Sequence, residues 1–244
     1  MTAAPTIITG ASSGIGLAVA QSLLRDSMPI IATARNEGRL RDSLGDNELC
    51  SIVPCDFSHA EQAVEYIDAV RQIHGSLGGF VYCAGFDKMS PLYLNKAAHY
   101  EELWRVHALA PMTMISRLAR KGMMVDGASM VLVSSLAAHE GAAGHSAYAA
   151  AKGALEGFLP SAAAELIERN IRLNMVVLGI VRTEMSQGYL RRLTEPQLQV
   201  LEGRYPLGFG LPDQIAGAIR FLLGSDSNWM TGQKIFLDGG RSVS

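Results

Sequence analysis

The sequence contains few cysteines, little net charge and no long apolar run. The three cysteines, Cys50, Cys55 and Cys83, form no CxxC pair. We therefore expect them to be small core residues of a protein in a reducing cytoplasm. The six histidines show no metal-ligand spacing, and we expect no metal site. A formal net charge of −2 argues against a general affinity for nucleic acid or anionic membranes. No apolar run reaches the roughly 18 residues that span a bilayer, and the N-terminus lacks the basic segment typical of a signal peptide.

Strand and helix patterns alternate along the 244 residues, without repeats or linkers. A hydrophobic content of 48% with 18% charged residues is typical of a globular chain. The alternation predicts a parallel sheet with helices on both faces. Strands are predicted at 5–9, 28–33, 49–54, 79–83, 129–133, 171–177 and 234–237, and helices at 17–25, 60–73, 97–121 with a kink at Pro111, 147–169 and 213–223. We expect one domain over residues 1–244, with irregular structure or short helices from about 184 to 211.

The first turn is rich in glycine and reads Gly10-Ala11-Ser12-Ser13-Gly14-Ile15-Gly16. It follows a strand and opens a helix, which is the position of a nucleotide-binding turn. Free amides and a partial positive charge at a helix N-terminus suit a pyrophosphate. Gly14 lets the backbone approach the ligand, and Gly16 lets helix and strand pack closely. The alternative is an ordinary strand–helix turn, but the position favours nucleotide binding.

The end of the second strand predicts the form of the nucleotide. An acidic residue at this point would bind the ribose 2′-hydroxyl of NAD. Here Ala34 and Arg35 follow Thr33. A guanidinium pairs well with a 2′-phosphate, so we expect NADP(H) to be preferred over NAD(H). The alternative is an exposed arginine in a loop.

A second chemical signal lies between residues 134 and 152. An apolar strand leads into Ser134-Ser135, and an Ala-rich segment that favours helix contains Tyr148 and Lys152. Residues four apart share one face of a helix, so we expect the lysine ammonium to lower the tyrosine pKa. Such a tyrosine transfers protons near neutral pH, and Ser135 can supply a hydroxyl at the same place, with Ser134 as its rival. The alternative is a chance spacing of a half-buried tyrosine and a lysine.

These motifs together resemble the short-chain dehydrogenase/reductase family, and in particular its 3-oxoacyl-carrier-protein reductases. The residues that carry the resemblance are Thr9-Gly10-x-x-x-Gly14-x-Gly16, Ser135 and Tyr148-x-x-x-Lys152, and it runs from about residue 5 to 240. The resemblance implies a Rossmann-type, doubly wound parallel sheet of about seven strands in the order 3-2-1-4-5-6-7 within a three-layer α/β sandwich. It also implies a homotetramer or homodimer.

The resemblance implies a role for each site residue. NADPH delivers hydride to a carbonyl carbon, Tyr148 gives a proton to the carbonyl oxygen, and Ser135 orients that oxygen. Lys152 lowers the tyrosine pKa and holds the nicotinamide ribose. The cofactor-binding residues it implies are Gly10, Ser12, Ser13, Gly14, Ile15, Gly16, Arg35, Asp56, Phe57, Ala84, Gly85, Tyr148, Lys152, Ile180 and Thr183.

One position departs from the family pattern. The fourth catalytic residue of the family is an asparagine in the helix after strand four, where this chain has His107. Histidine titrates near neutrality, so one hypothesis is that His107 keeps a proton relay with a sharper pH dependence. The alternative is a structural histidine and a weakened relay.

The substrate is expected at the carboxyl ends of the strands, under a lid formed by residues from about 184 to 211. Candidate contacts are Phe86, Met89, Leu92, Ala137, His139, His145, Met185 and Tyr189. We expect an NADPH-dependent reductase that converts a ketone or oxo group to a secondary alcohol, on a small-molecule or carrier-bound substrate such as a 3-oxoacyl thioester. The alternatives are an NAD(P)-dependent alcohol or sugar dehydrogenase and a cofactor-binding regulatory protein without catalysis.

Overall fold

The strands form one sheet within residues 4–243, the part of the chain that our computed structural model describes; of Ala60 only the backbone is described. They are β1 (Thr6–Thr9), β2 (Ile30–Thr33), β3 (Cys50–Ile52), β4 (Leu77–Tyr82), β5 (Met124–Ser135), β6 (Arg172–Leu178) and β7 (Lys234–Leu237). All neighbouring strands are parallel, in the order β3-β2-β1-β4-β5-β6-β7. The predicted fold class and strand order are confirmed.

Helices cover both faces of this sheet. They are α1 (Gly14–Arg25), α2 (Glu37–Leu44), α3 (Ala60–His74), α4 (Ala97–Trp104), α5 (Ala110–Leu118), α6 (Ser146–Ile167), α7 (Glu184–Leu190), α8 (Glu195–Glu202) and α9 (Pro212–Leu223). Helix α6 runs through Pro160 without interruption. Helices α7 and α8 are two short helices within the segment from about 184 to 211, where irregular structure or short helices were expected.

The sheet is buried on both sides because successive side chains of each strand enter different apolar cores. In β5, Met130 and Leu132 pack in the core formed with α3, α5 and α6. Val131, between them, packs in the core formed with α1 and α9. The two cores fix the sheet between its helices and leave its carboxyl edge open to loops.

The predicted helix over residues 97–121 is divided in the structure. A π-helical turn, Arg105–Leu109, separates α4 from α5. Pro111 lacks an amide hydrogen and its ring crowds the preceding turn, so the expected interruption occurs one turn upstream of the proline. Such π turns often lie at functional sites, and this one carries His107, which is 1% exposed.

The sequence did not predict α2, and the reason is its composition. Leu40 is its one buried residue, so the segment lacks an apolar period. The helix is held instead by Asn36, whose side chain accepts a hydrogen bond of 2.9 Å from the amide of Arg39. Capping by asparagine stabilises a helix end by about 1 kcal/mol.

Two further observations concern the described residues. Their helices include none that is both long and apolar enough to cross a membrane. The thiols of Cys50, Cys55 and Cys83 are free.

Candidate active site

Two connected cavities lie at the carboxyl edge of the sheet. The larger has a volume of about 520 Å³ and the smaller a volume of about 350 Å³. Walls common to both are formed by Ile15, Cys83, Ala84, Gly85, Thr183 and Met185. The cavities therefore make one cleft, at the edge where open parallel sheets bind ligands.

The turn between β1 and α1 forms one wall of the smaller cavity. Gly10 and Gly14 have φ angles of +67° and +55°, a region that residues with a Cβ rarely adopt. A Cβ on Gly16 would lie 2.3 Å from the carbonyl oxygen of Gly10, so no larger residue fits there. Ser13 is the N-cap of α1 and its side chain makes no capping hydrogen bond. The first amides of α1 are thus open to an anion.

The structure brings the predicted cofactor-binding residues to this cleft. The smaller cavity is lined by Gly10, Ser12, Ser13, Gly14, Ile15, Gly16, Arg35, Asp56, Phe57, Ala84, Gly85 and Thr183. The larger is lined by Tyr148, Lys152, Ile180 and Thr183. The loop after β4 is held in place by the Thr9 hydroxyl, which accepts hydrogen bonds of 2.9 and 3.0 Å from the amides of Cys83 and Ala84.

Two arginines from the segment after β2 line the smaller cavity. Arg35 was expected there, whereas Arg39 was missed because α2 was not predicted. Arg39 Nη2 lies 2.8 Å from Oε2 of Glu184, the first residue of α7. This ion pair connects α2 to the segment after β6. Its side chains are 50% and 68% exposed, so it adds little to stability.

Tyr148 and Lys152 lie one turn apart on α6 and line the larger cavity. The Lys152 ammonium lies 5.7 Å from the centroid of the Tyr148 ring and donates a hydrogen bond of 2.7 Å to the carbonyl oxygen of Val133. Ser135, the last residue of β5, lines the same cavity. Its Oγ accepts a hydrogen bond of 3.2 Å from the amide of Ala137. The serine, tyrosine and lysine of the sequence motif therefore meet at one wall.

Burial controls the proton affinities in this cluster. Desolvation raises the pKa of Tyr148 well above its ordinary range, the charge of Asp87 raises it further, and a hydrogen bond with Ser135 lowers it. Desolvation lowers the pKa of Lys152 to about 8, against the raising effects of Cys83 and Glu156. The expectation that the lysine ammonium would lower the pKa of Tyr148 below its ordinary value is therefore wrong. The phenol stays protonated near neutral pH.

His107 packs between the loop after β4 and Tyr148. Its Nε2 lies 2.8 Å from the carbonyl oxygen of Phe86, and its buried Nδ1 has no hydrogen-bond partner among the described residues. Desolvation and the charge of Lys152 lower the pKa of His107 to about 3, although the contact with Phe86 raises it. The expectation of a histidine that titrates near neutrality is wrong, because this ring is too deeply buried to hold a charge.

An acid and a histidine that the motifs did not connect form a pair in the larger cavity. His145 Nε2 lies 3.4 Å from Asp87 Oδ2. The hydrogen bond with Asp87 raises the pKa of His145, while its burial acts in the opposite direction. Asp87 Oδ1 is buried and has no partner among the described residues. No sequence signal links these residues, since they come from the loops after β4 and before α6.

Five of the eight predicted substrate contacts line the cavities and three do not. Ala137, His145, Met185 and Tyr189 line the larger cavity, and Phe86 lines the smaller one. Met89, Leu92 and His139 are not among the wall residues of either cavity. Leu92 is 69% exposed, and His139 instead contacts Glu156, with 2.8 Å between Nε2 and Oε2. Arg204 and Arg241 line the larger cavity and were not predicted.

Comparison with known sequences identifies the family. Residues 10–242 match the family model described as "Enoyl-(Acyl carrier protein) reductase". The chain is 32% identical over 241 residues to a mouse (Mus musculus) 3-oxoacyl-[acyl-carrier-protein] reductase, covering 97% of each chain. It is 30% identical over 239 residues to carbonyl reductase family member 4 of Danio rerio, covering 96% of each.

Solved structures show the same fold. A 4-hydroxyisoleucine dehydrogenase complexed with NADH matches with a TM-score of 0.91 at 24% identity, over 99% of this chain and 100% of that one. A Brucella melitensis protein titled short-chain dehydrogenase/reductase SDR:glucose/ribitol dehydrogenase matches with a TM-score of 0.89 at 25% identity, over 98% and 96%. The chain belongs to the short-chain dehydrogenase/reductase family and is an NAD(P)-dependent oxidoreductase.

Proposed function

We propose that the protein reduces a ketone or oxo group to a secondary alcohol with NADPH, on a substrate similar to a 3-oxoacyl thioester. The observation that carries this proposal is the meeting of Ser135, Tyr148 and Lys152 at the wall of the larger cavity, where it joins the glycine-lined cavity. The relatives named as carbonyl and 3-oxoacyl-carrier-protein reductases support the same reaction.

The smaller cavity fits the cofactor that this reaction requires. Glycines whose positive φ angles or close backbone contacts disfavour a Cβ surround the open N-terminus of α1, where a pyrophosphate would be held. Arg35 and Arg39 line the cavity near the end of β2, and their guanidinium groups support a preference for a 2′-phosphate. Asp56 and Phe57 line the same cavity and would contact the adenine. When bound, the dihydronicotinamide supplies the hydride.

Each motif residue has a separate task in the proposal. Tyr148 donates the proton of its hydroxyl to the substrate carbonyl oxygen, and its raised pKa keeps that proton in place until the substrate is bound. Ser135 donates a hydrogen bond to the same oxygen. Lys152 would bind the nicotinamide ribose, and its ammonium, while charged, makes Tyr148 a stronger acid than it would be without the lysine. Ile180 and Thr183 would hold the carboxamide, and Ala84 and Gly85 would line the cofactor site.

A dehydrogenase acting on an alcohol or sugar is a second candidate, and Asp87 supports it. The unpartnered carboxylate oxygen of Asp87 belongs to a residue of the larger cavity, and a buried acceptor without a partner is costly. A hydroxyl group next to the reacting carbon of a substrate would supply the missing donor. The solved structure titled glucose/ribitol dehydrogenase is in keeping with such substrates.

The remaining features of the proposal concern assembly and access. We propose a homotetramer, or else a homodimer, that forms through the exposed face of small residues on α6 around Gly153 and Gly157. We also propose that the chain is a single domain in which residues 184–211 form a lid. The free cysteines fit a reducing cytoplasm. Light scattering of the purified protein tests the assembly.

A spectrophotometric screen tests the reaction. NADPH and NADH oxidation are followed with ketones, 3-oxoacyl thioesters, keto-sugars and, because of the description of the family model, enoyl thioesters. We expect faster NADPH oxidation with 3-oxoacyl thioesters or other ketones. Turnover of enoyl thioesters alone, or cofactor binding without any turnover, would contradict the proposal.

A further inference from the structure

The last three residues of β5 are each connected to one face of α6. The Ser135 side chain acts on Tyr148, whose pKa it lowers, and the carbonyl oxygen of Val133 accepts a hydrogen bond of 2.7 Å from Lys152. Ser134 lies between them on the strand and points to the next turn of the helix. Its Oγ donates a hydrogen bond of 2.6 Å to Glu156 Oε1.

Glu156 continues the row that begins with Tyr148 and Lys152. The three residues follow one another at intervals of four along α6, so they lie on one face, a turn apart. The sequence motif ends at the lysine and gives no role to the third position. The structure places a carboxylate there that is 6% exposed.

This carboxylate is fully partnered. Besides Ser134, its Oε2 lies 2.8 Å from His139 Nε2 and 3.2 Å from Lys234 Nζ. Three segments, namely β5, the turn after it and the start of β7, therefore converge on one side chain of α6. Buried charges are retained at a high desolvation cost, so a carboxylate in this place requires a reason.

The charge of Glu156 affects its neighbour in the row. Lys152 is 5% exposed and its ammonium is poorly solvated, which favours the neutral amine. The Glu156 carboxylate acts in the opposite direction and favours the ammonium. The other titratable groups that face Lys152 are Cys83 after β4, Tyr148 and His107. All three are uncharged near pH 7, since burial raises the pKa of Cys83 to about 12, raises that of Tyr148 and lowers that of His107 to about 3.

We propose that Glu156 is a positioning residue of the Ser135–Tyr148–Lys152 site: it holds the carboxyl end of β5 against α6 through Ser134 and stabilises the positive charge of Lys152. This role rests on the proposed reduction of a carbonyl. Glu156 lines neither cavity, and it acts through Lys152 and Ser134.

The test compares pH–rate profiles of ketone reduction by the native protein and the Glu156→Gln variant. Glutamine keeps the shape and the hydrogen-bonding atoms but removes the charge. Lys152 then loses its proton at a lower pH, so the alkaline fall in kcat is expected to move by about one pH unit toward neutrality. A purely structural role would lower kcat or the melting temperature without moving that limb.

Two further variants separate charge from packing. Glu165→Gln changes an exposed glutamate of the same helix and is expected to leave the profile as in the native protein. Ser134→Ala keeps the carboxylate and removes the link to β5, so we expect a lower kcat at every pH with the alkaline limb in its native place. If the Glu156→Gln protein melts below the assay temperature, the double variant Glu156→Gln/Lys234→Met replaces it in the comparison. The second substitution removes the lysine that the first leaves without its partner.

Alkaline limbs that fall at the same pH in the native and Glu156→Gln proteins would overturn the inference while leaving the proposed function intact. A native protein without turnover of any carbonyl would overturn the proposed function and this role with it.

Discussion

The rings of His107 and Tyr148 meet edge to face, with 4.9 Å between their centroids and an angle of 80° between their planes. The π turn after α4 is what presents the histidine to this tyrosine. An imidazolium at this place would be desolvated and would face the Lys152 ammonium, which is why the histidine pKa is lowered to about 3. The neutral ring therefore serves as a wall that fixes the Tyr148 side chain.

The pH dependence of the reaction should not include a titration of His107. We expect His107→Asn to lower the rate while the shape of its pH–rate profile stays that of the native protein from about pH 5 to 9, since a neutral imidazole has no charge to lose there. Steady-state rates across this range check it. If the native profile has a limb near neutral pH that is absent from the variant's profile, the hypothesis of a proton relay through a titrating His107 would be supported instead.

Gly85 and His107 are coupled by a close approach. A Cβ on Gly85 would lie 2.5 Å from Cε1 of the His107 ring, so Gly85→Ala should destabilise the protein by about 1–3 kcal/mol. His107→Asn shortens the side chain and should recover part of this loss. Urea unfolding of both single variants and the double variant measures the coupling. Gly141→Ala is the control, because its Cβ would meet nothing within 4 Å. Additive effects of the two substitutions would disprove the contact.

The Asp87 carboxylate opposes ionisation of Tyr148, since its charge raises the tyrosine pKa. Asp87→Asn removes this charge, so the phenolate should form at a lower pH. Oxidation of an alcohol needs the phenolate as base, and its alkaline rise is therefore expected to move to lower pH in the variant. The oxidative pH–rate profile checks this, and a rise that stays in place or moves upward would mean that Asp87 does not act on Tyr148.

The nucleotide preference should depend on Arg35. Arg35→Asp is expected to weaken NADPH binding by about 10- to 100-fold, because a charge-assisted hydrogen bond contributes about 1.5–3 kcal/mol, and to leave NADH binding much less affected. Fluorescence titration with both nucleotides measures the ratio. Arg41→Asp is the matched control, since Arg41 is exposed, pairs with Glu37 at 2.7 Å and does not line the cavity. Unchanged NADPH affinity would make the assignment of Arg35 wrong.

The sequence predicted the sheet well because its strands carry short apolar runs between turn residues. β7 was predicted within its observed bounds, and β5 was predicted too short because its polar ends, among them Ser135, gave no strand signal. Helix α2 was missed since it buries little beyond Leu40. An interruption near Pro111 was predicted, but its π-helical form was not, because a proline predicts a break in a helix and not the geometry of the turn.

The site was predictable where its geometry is local. The glycine turn and the pair Tyr148 and Lys152 are set by spacing along one element, which a sequence displays directly. The contacts of Asp87 with His145, of Arg39 with Glu184, and of Glu156 with Lys234 join distant segments, and spacing carries no sign of them. The pKa of Tyr148 also depends on distant segments, since burial and the charge of Asp87 raise it.

The most direct test of the account is the rate of ketone-dependent NADPH oxidation by the native protein and by Tyr148→Phe, with nucleotide affinity measured in parallel. Phenylalanine keeps the ring and its packing against His107 but has no proton to give. Loss of a positioned general acid costs about 10²- to 10⁴-fold in rate, so the account predicts a fall of that size in kcat/KM with little change in NADPH affinity. A Tyr148→Phe protein that reduces the ketone at the native rate would contradict it.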